Sequence, residues 1–207
     1  MYRFANYKFD LCVTSNHKLY VRSKTGKLRF LQADEERHWK SWKVLTGGEF
    51  YGEEREWFEL GEVPINSKVQ VEKVKMDDWL EFLGYYISEG CTHVRKRVRA
   101  VGGKDYDVAD YNILIAQENT AGREKISVCL EKIGFKFFSS DHHQFRICSK
   151  QLASILQPLG KSSDKYIPRE FLKLSKRQSL ILFNALILGD GSKRGESTFA
   201  YYSKSKQ

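Results

Sequence analysis

Two acid–glycine pairs, Glu89-Gly90 and Asp190-Gly191, lie about a hundred residues apart, and each closes an apolar run. Two carboxylates brought side by side repel each other, and a bound divalent cation relieves that repulsion, so cation binding is the chemistry this spacing suggests. The elements that carry the acids must bring them together. Residues 79 to 90 and 183 to 191 repeat one pattern position for position: Phe82 matches Phe183, Gly84 matches Ala185, Ser88 matches Gly189, and Glu89 matches Asp190. Gly84 and Ser88 are four apart, as are Ala185 and Gly189, so each pair shares one helix face. Helices meeting through such faces approach closely. Gly90 and Gly191 suit the left-handed residue that ends a helix, and the acids fall on last turns, where the helix dipole is already negative. Asp77 or Asp78 is expected to cap the first of these helices.

The doubled motif resembles the LAGLIDADG homing endonucleases of the intein-borne kind. The resemblance implies an α+β fold of αββαββα repeats whose two central helices pack together through Gly84, Ser88, Ala185 and Gly189. It implies Glu89 and Asp190 as catalytic Mg²⁺ ligands that activate water for in-line attack on each strand of double-stranded DNA. It also places Lys165, in the Lys165-Tyr166-Ile167-Pro168 block, near the scissile phosphate as an auxiliary catalytic cation. The alternatives are two buried helices with ordinary caps and a surface lysine.

Between the two motifs the expected order is helix, two strands, helix, two strands, helix. Arg95, Arg97 and Arg99 fall on one face of a strand with period two, where three cations in a row need a partner. DNA phosphates or guanine edges would serve; a charged edge strand is the alternative. Residues 100 to 110, with Gly102-Gly103, read as a loop, and Tyr111 to Gln117 as a second strand. Asn119 starts a helix with Ile126, Cys129, Leu130 and Ile133 on its inner side and Gly134 as its stop. A hairpin about Asp141-His142 follows, with Phe145 and Ile147 facing the core and Gln144 and Arg146 on the opposite, DNA-binding side. His142 and His143 have no evident third ligand.

The first sixty residues read as all-β. Leu11 and Val13, then Leu19 and Val21, alternate with polar neighbours about a Ser15-Asn16 turn. Thr14-x-x-His17 looks like the Thr-x-x-His block of intein (Hint) domains, though a solvated turn histidine is the alternative. Met1 stands where splicing needs a Cys or Ser, so this partial module is expected not to splice. Trp39, Trp42, Trp57 and Phe58 are expected in its core or its seam with the next domain. The expected domains are thus 1 to 60 (Hint-like), 61 to 76 (linker) and 77 to 207 (endonuclease, with a first repeat to about 178 and a truncated second repeat, 179 to 207). The missing strands of that repeat imply binding of one half-site at most, poor cleavage, and self-association through uncovered apolar surface.

Composition agrees with a polyanionic partner. Lys and Arg outnumber Asp and Glu by 35 to 26, for a formal net charge of +9 and a pI near 9.3, which favours nucleic acid. The four cysteines have neither disulfide-framework nor zinc spacing. No opening apolar segment or membrane-length run is evident, so a cytoplasmic or nucleoid-associated protein is expected. The leading expectation is a site-specific DNA endonuclease from a mobile element. The others are a nuclease-inactive, maturase-like DNA- or RNA-binding descendant and a splicing-intein fragment.

Overall fold

The computed structural model describes residues 1–5, 10–35, 42–45, 50–62, 71–140, 143–193 and 198–205. The chain divides into two compact units, Met1–Phe50 and Tyr51–Gln207. The whole is mixed α+β. No helix among the described residues is long and apolar enough to cross a membrane.

In the first unit every described element is a strand. β1 (Tyr2–Ala5) pairs antiparallel with β2 (Asp10–Val13), and a two-point ion pair of Arg3 with Asp10 (2.9 and 2.6 Å) crosses the ladder. β3 (Lys18–Ser23) is the centre of a second sheet, flanked by β4 (Leu28–Gln32) and β5 (Trp42–Val44). Period-two alternation buries Leu19, Val21 and Leu31, with Phe4, Leu11, Trp42 and Val44 packed against them. The two stretches about Ser15-Asn16 are therefore strands of different sheets. Trp39 lies outside the described residues.

The second unit begins ten residues before the expected boundary at 60. β6 (Trp57–Glu59) pairs with β7 (Lys73–Lys75) and leads into α1 (Met76–Glu89). Half of the expected linker, residues 63 to 70, lies outside the described residues, but its last part contains β7. Phe58 stacks on Trp79 of α1 with centroids 4.2 Å apart. It packs in the second unit rather than the first, because its strand is tied to β7. α1 is also not capped by Asp77 or Asp78. Its N-cap is Lys75, without a side-chain bond, and both acids sit in the first turn, where they favour the positive end of the helix dipole.

After α1 the order is β8 (Gly90–Val101), β9 (Lys104–Ala116), α2 (Thr120–Lys132), β10 (Phe137–Ser140), β11 (Gln144–Cys148) and α3 (Lys150–Leu156). Then come short 3₁₀ turns, α4 (Lys176–Asp190), β12 (Gly191–Lys193) and β13 (Phe199–Tyr201). The four antiparallel strands lie in the order β10-β11-β9-β8. Residues 104 to 110 are strand, not loop. Gly102 and Gly103 both take positive φ (59° and 76°), which makes a two-residue turn that continues the ladder from Val101↔Lys104 inward. α2 is capped as expected, with the Asn119 side chain accepting from the Gly122 N–H and Gly134 at φ 77° beyond its end. Asp141-His142, the turn of the β10–β11 hairpin, lies outside the described residues.

One face of this sheet carries Ile113, Ile115, Phe145 and Ile147 onto Phe82, Leu83 and Tyr86 of α1 and onto α2 and α3. Each such side chain, fully buried, contributes roughly 1.5–3 kcal/mol. The polar cost inside is low: Trp79 Nε1 is the one fully buried side-chain nitrogen or oxygen without a hydrogen bond among the described residues.

Candidate functional site

α1 and α4 run side by side and parallel. Near their starts Arg177 binds Asp77 and Glu54. Buried Gln178 accepts from the Arg55 N–H (3.0 Å) and donates to the Arg55 carbonyl (2.6 Å) and Asp77 (2.9 Å). At mid-length, a methyl added to Gly84 would meet Ala185 Cβ at 2.5 Å. Towards the ends, one added to Gly189 would meet Ser88 Cβ at 2.3 Å. These four small residues therefore face each other in two layers. The Ser88 hydroxyl donates to the Gly84 carbonyl (2.9 Å) and across the interface to the Leu186 carbonyl (3.3 Å).

Glu89 and Asp190 end the two helices at the same level. Gly189 leaves room for the Glu89 side chain, whose Cγ would lie 3.2 Å from a Cβ there. Gly90 and Gly191 are not left-handed. Both are extended (φ −89° and −103°), and the chain turns straight into a strand. Their lack of a side chain has another cause. A Cβ on Gly90 would strike Tyr86, and one on Gly191 would strike Ile187, each at 2.4–2.5 Å, because the chain folds back over the preceding turn.

Burial raises the Glu89 carboxyl above its ordinary range and Asp190 raises it further, while Lys165 opposes. Burial raises Asp190 too, with Lys165 again opposing. The donor set is two hard carboxylates, and no group of three His, Cys, Asp or Glu able to hold a metal occurs among the described residues. That set suits an ion such as Mg²⁺, which keeps several waters and takes further oxygens from phosphates, and does not suit a closed zinc site.

Lys165 is buried, and its ammonium donates to the carbonyls of Tyr86 (2.8 Å), Ile87 (2.9 Å) and Gly90 (2.5 Å). Every N–H of the group is thus spent on the C-terminal end of α1, where a cation complements the helix dipole. Burial lowers its pKa, partly offset by Cys91, Asp190 and Glu89. Lys165 therefore lies beside the acid pair with its ammonium bound to the backbone.

The acids open into a cleft of about 760 Å³ lined also by Ser88, His93, Lys161, Lys165 and Tyr201. Burial raises the Tyr201 phenol above its ordinary value and the two carboxylates add to the rise, while its hydrogen bond with Ser88 opposes it. Tyr201 lies on β13, which no motif in the sequence singles out. Its approach depends on the register Gly191↔Tyr201, which no local signal carries.

The outer face of the four-stranded sheet gathers Arg95, Arg97, Arg99, Gln144 and Arg146. Register and alternation put them on the side opposite Ile113 and Ile115, with Arg146 across from Leu114 and Arg95 across from Asp110. The three β8 arginines do not all lack a partner: Arg97 pairs with Asp110 at 2.8 and 3.0 Å, since the hairpin sets the acid diagonally opposite. Arg95 and Arg99 make no ion pair among the described residues. In the first unit, Thr14 and His17 are exposed at the turn between β2 and β3. The Thr14 hydroxyl donates to Asn16 (2.7 Å) and the His17 N–H to the Thr14 carbonyl (3.1 Å).

No family model matches the chain. Over 229 residues, spanning 100% of the chain, it is 26% identical to part of the ATP-dependent Clp protease proteolytic subunit of Chlamydomonas moewusii, covering 21% of that protein. Over 195 residues, 90% of the chain, it is 27% identical to part of the DNA-directed RNA polymerase subunit beta C-terminal section of Stigeoclonium helveticum, covering 18%. The chain thus spans about a fifth of the length of these curated relatives. Similar solved structures include a point mutant of I-SmaMI, at a TM-score of 0.30 and 14% identity over 62% of this chain and 65% of that one. Another is I-SmaMI bound to uncleaved DNA target in the presence of calcium ions, at a TM-score of 0.29 and 16% identity over the same shares.

Proposed function

We propose that this chain is the DNA-cutting part of an inserted, mobile element, a divalent-cation-dependent endonuclease acting on double-stranded DNA. The observation that carries this reading is the acid pair: Glu89 and Asp190 end two parallel helices in one plane, packed too closely for larger side chains at Gly84 and Gly189. A hard divalent cation held there supplies Lewis-acid stabilisation of charge developing on phosphate oxygens. Glu89 and Asp190 would hold that ion. Lys165 fixes the end of α1 and with it the direction of the Glu89 carboxylate, so it acts as a positioning residue. The face bearing Arg95, Arg99 and Arg146 meets the phosphate backbone, which the net charge of +9 draws in.

The relatives support the inserted character. One is named as a protease subunit and the other as a polymerase subunit, yet each resembles this chain over only about a fifth of its length. A segment common to two proteins of unrelated activity serves neither activity and reads as an insertion. The intein-borne origin suggested by Thr14 and His17 fits such an insertion.

Incubation of the chain with a library of random duplexes, with Mg²⁺ and with chelator, tests the reading. Cation-dependent cutting at selected sites is expected, lost in Glu89→Gln and in Asp190→Asn while duplex binding persists. Full cutting by either variant would sink the assignment. Binding without cutting by the unaltered chain, above all with preference for structured RNA, would instead make it a nuclease-inactive binding descendant.

A further inference from the structure

The outer face of the β4-β3-β5 sheet in the first unit has no part in the acid site. Strand alternation turns Leu19, Val21 and Leu31 inward, so Lys18, Tyr20 and Arg22 of β3 point the other way. Register sets Phe30 across from Tyr20, Leu28 across from Arg22, and Lys43 of β5 on the other side of Arg22. The Tyr20 and Phe30 rings lie side by side with centroids 4.8 Å apart and planes 37° from parallel. They remain 42% and 63% exposed, and Leu28 48%. Lys18, Arg22 and Lys43 ring this pair, and no acid shares the face among the described residues. Glu35, beyond the end of β4, is turned back to the Gln32 N–H at 2.9 Å. The sequence of this unit is itself basic, with ten Lys and Arg against five Asp and Glu in residues 1–50.

We infer that this face binds single-stranded nucleic acid, with Tyr20 and Phe30 as a stacking platform for successive bases and Lys18, Arg22 and Lys43 tracking the phosphates. Base stacking on exposed rings next to a cationic track is the general physics of such sites. A duplex offers no free base faces to these rings, since its bases already stack on one another. A second copy of the chain is a poor occupant, because two-fold pairing of the face would set its cations against their own images. A single strand satisfies both the rings and the charges. The inference does not depend on the acid pair cutting DNA.

Fluorescence anisotropy of the full chain in chelator, with labelled oligothymidylate and oligouridylate of about 12 nucleotides and an abasic strand of the same length, tests this. The unaltered chain should bind both base-bearing strands more tightly than the abasic one. Tyr20→Ala/Phe30→Ala should weaken them on the order of 10-fold or more and leave the abasic strand and duplex binding unchanged. Tyr20→Trp/Phe30→Trp should retain binding, with indole fluorescence quenched when the oligonucleotide is added. This second variant separates loss of stacking from loss of fold. Equal binding of base-bearing and abasic strands, an alanine variant with unchanged affinity, or a tryptophan variant without quenching would overturn the inference. So would a change in light-scattering mass on alanine substitution, which would make the face a contact between copies. The two base-bearing arms distinguish DNA from RNA as the preferred strand.

Discussion

Lys165 is a buried cation bound to the end of a helix. Its ammonium donates to the carbonyls of Tyr86, Ile87 and Gly90 at the end of α1. Lys165→Met takes this donor from the Ile87 and Gly90 carbonyls, at about 1–3 kcal/mol for a buried acceptor left unsatisfied, while the Tyr86 carbonyl keeps the Gly90 N–H, and it removes the desolvation cost of one ammonium. The acceptors outnumber the removed charge, so a net loss of about 2 kcal/mol is expected in urea unfolding. Lys165→Arg should not restore it, because a planar fork does not fit three converging carbonyls. The acid pair has the opposite sign. Both folded-state pKa values are raised, so its favourable contribution is complete below the ordinary carboxyl range and is lost as pH rises through the raised values. Above those raised values the ionised pair opposes folding. Glu89→Gln should therefore raise the melting temperature in chelator at pH 7, with the gain fading as pH falls towards about 4. Mg²⁺ should stabilise the unaltered chain and not Glu89→Gln/Asp190→Asn; equal shifts in both would place the ion elsewhere.

At the scale of elements, two helices are held in register at both ends by different physics. The start is polar, with Arg177 and buried Gln178 tying α1, α4 and the 53–55 segment together. The rest is steric, through Gly84 on Ala185 and Gly189 on Ser88. Alanine at position 84 gains about 1 kcal/mol in helix propensity. Its methyl, however, would stand 2.5 Å from Ala185 Cβ and 3.0 Å from the Leu182 carbonyl. Overpacking of this kind costs about 1–3 kcal/mol and should win. Gly84→Ala should destabilise the protein, and adding Ala185→Gly should recover part of the loss. Thermal melts of the two single variants and the double form the cycle, and strict additivity would deny the contact.

For the whole molecule, the acid cleft and the outer sheet face belong to the same unit, and β8 runs directly from one to the other. Glu89 ends α1, Gly90 starts β8, and Arg95 to Arg99 lie farther along that strand. If duplex DNA lies along this face, Arg95→Ala and Arg99→Ala should each lower the salt slope of binding by roughly one unit. Arg97→Ala should lower it by less, because Asp110 already neutralises that guanidinium. Equal effects of all three on titration of a duplex with salt would mean that the Arg97–Asp110 pair opens on binding. Unchanged slopes for Arg95 and Arg99 would put DNA on another face.

Much of this was legible in the residues. Small residues four apart and an acid at the end of each apolar run specified two helices and their contact faces, because helical period alone assigns residues to faces. The alternation of β8 and β11 likewise placed Arg95, Arg97, Arg99, Gln144 and Arg146 away from the core, since a strand exposes every second residue. Period does not say which atom across a fold meets which. The burial of Lys165 under the end of α1, the Arg97–Asp110 pair, the docking of Phe58 on Trp79 and the reach of Tyr201 to Ser88 all join residues 13 to 113 positions apart in the chain. Local propensity carries no information about such distances. Gly90 and Gly191 show the same limit: their type is readable as a stop, but the reason for it is a Tyr86 or Ile187 lying under the returning chain. Only the packed structure decides that.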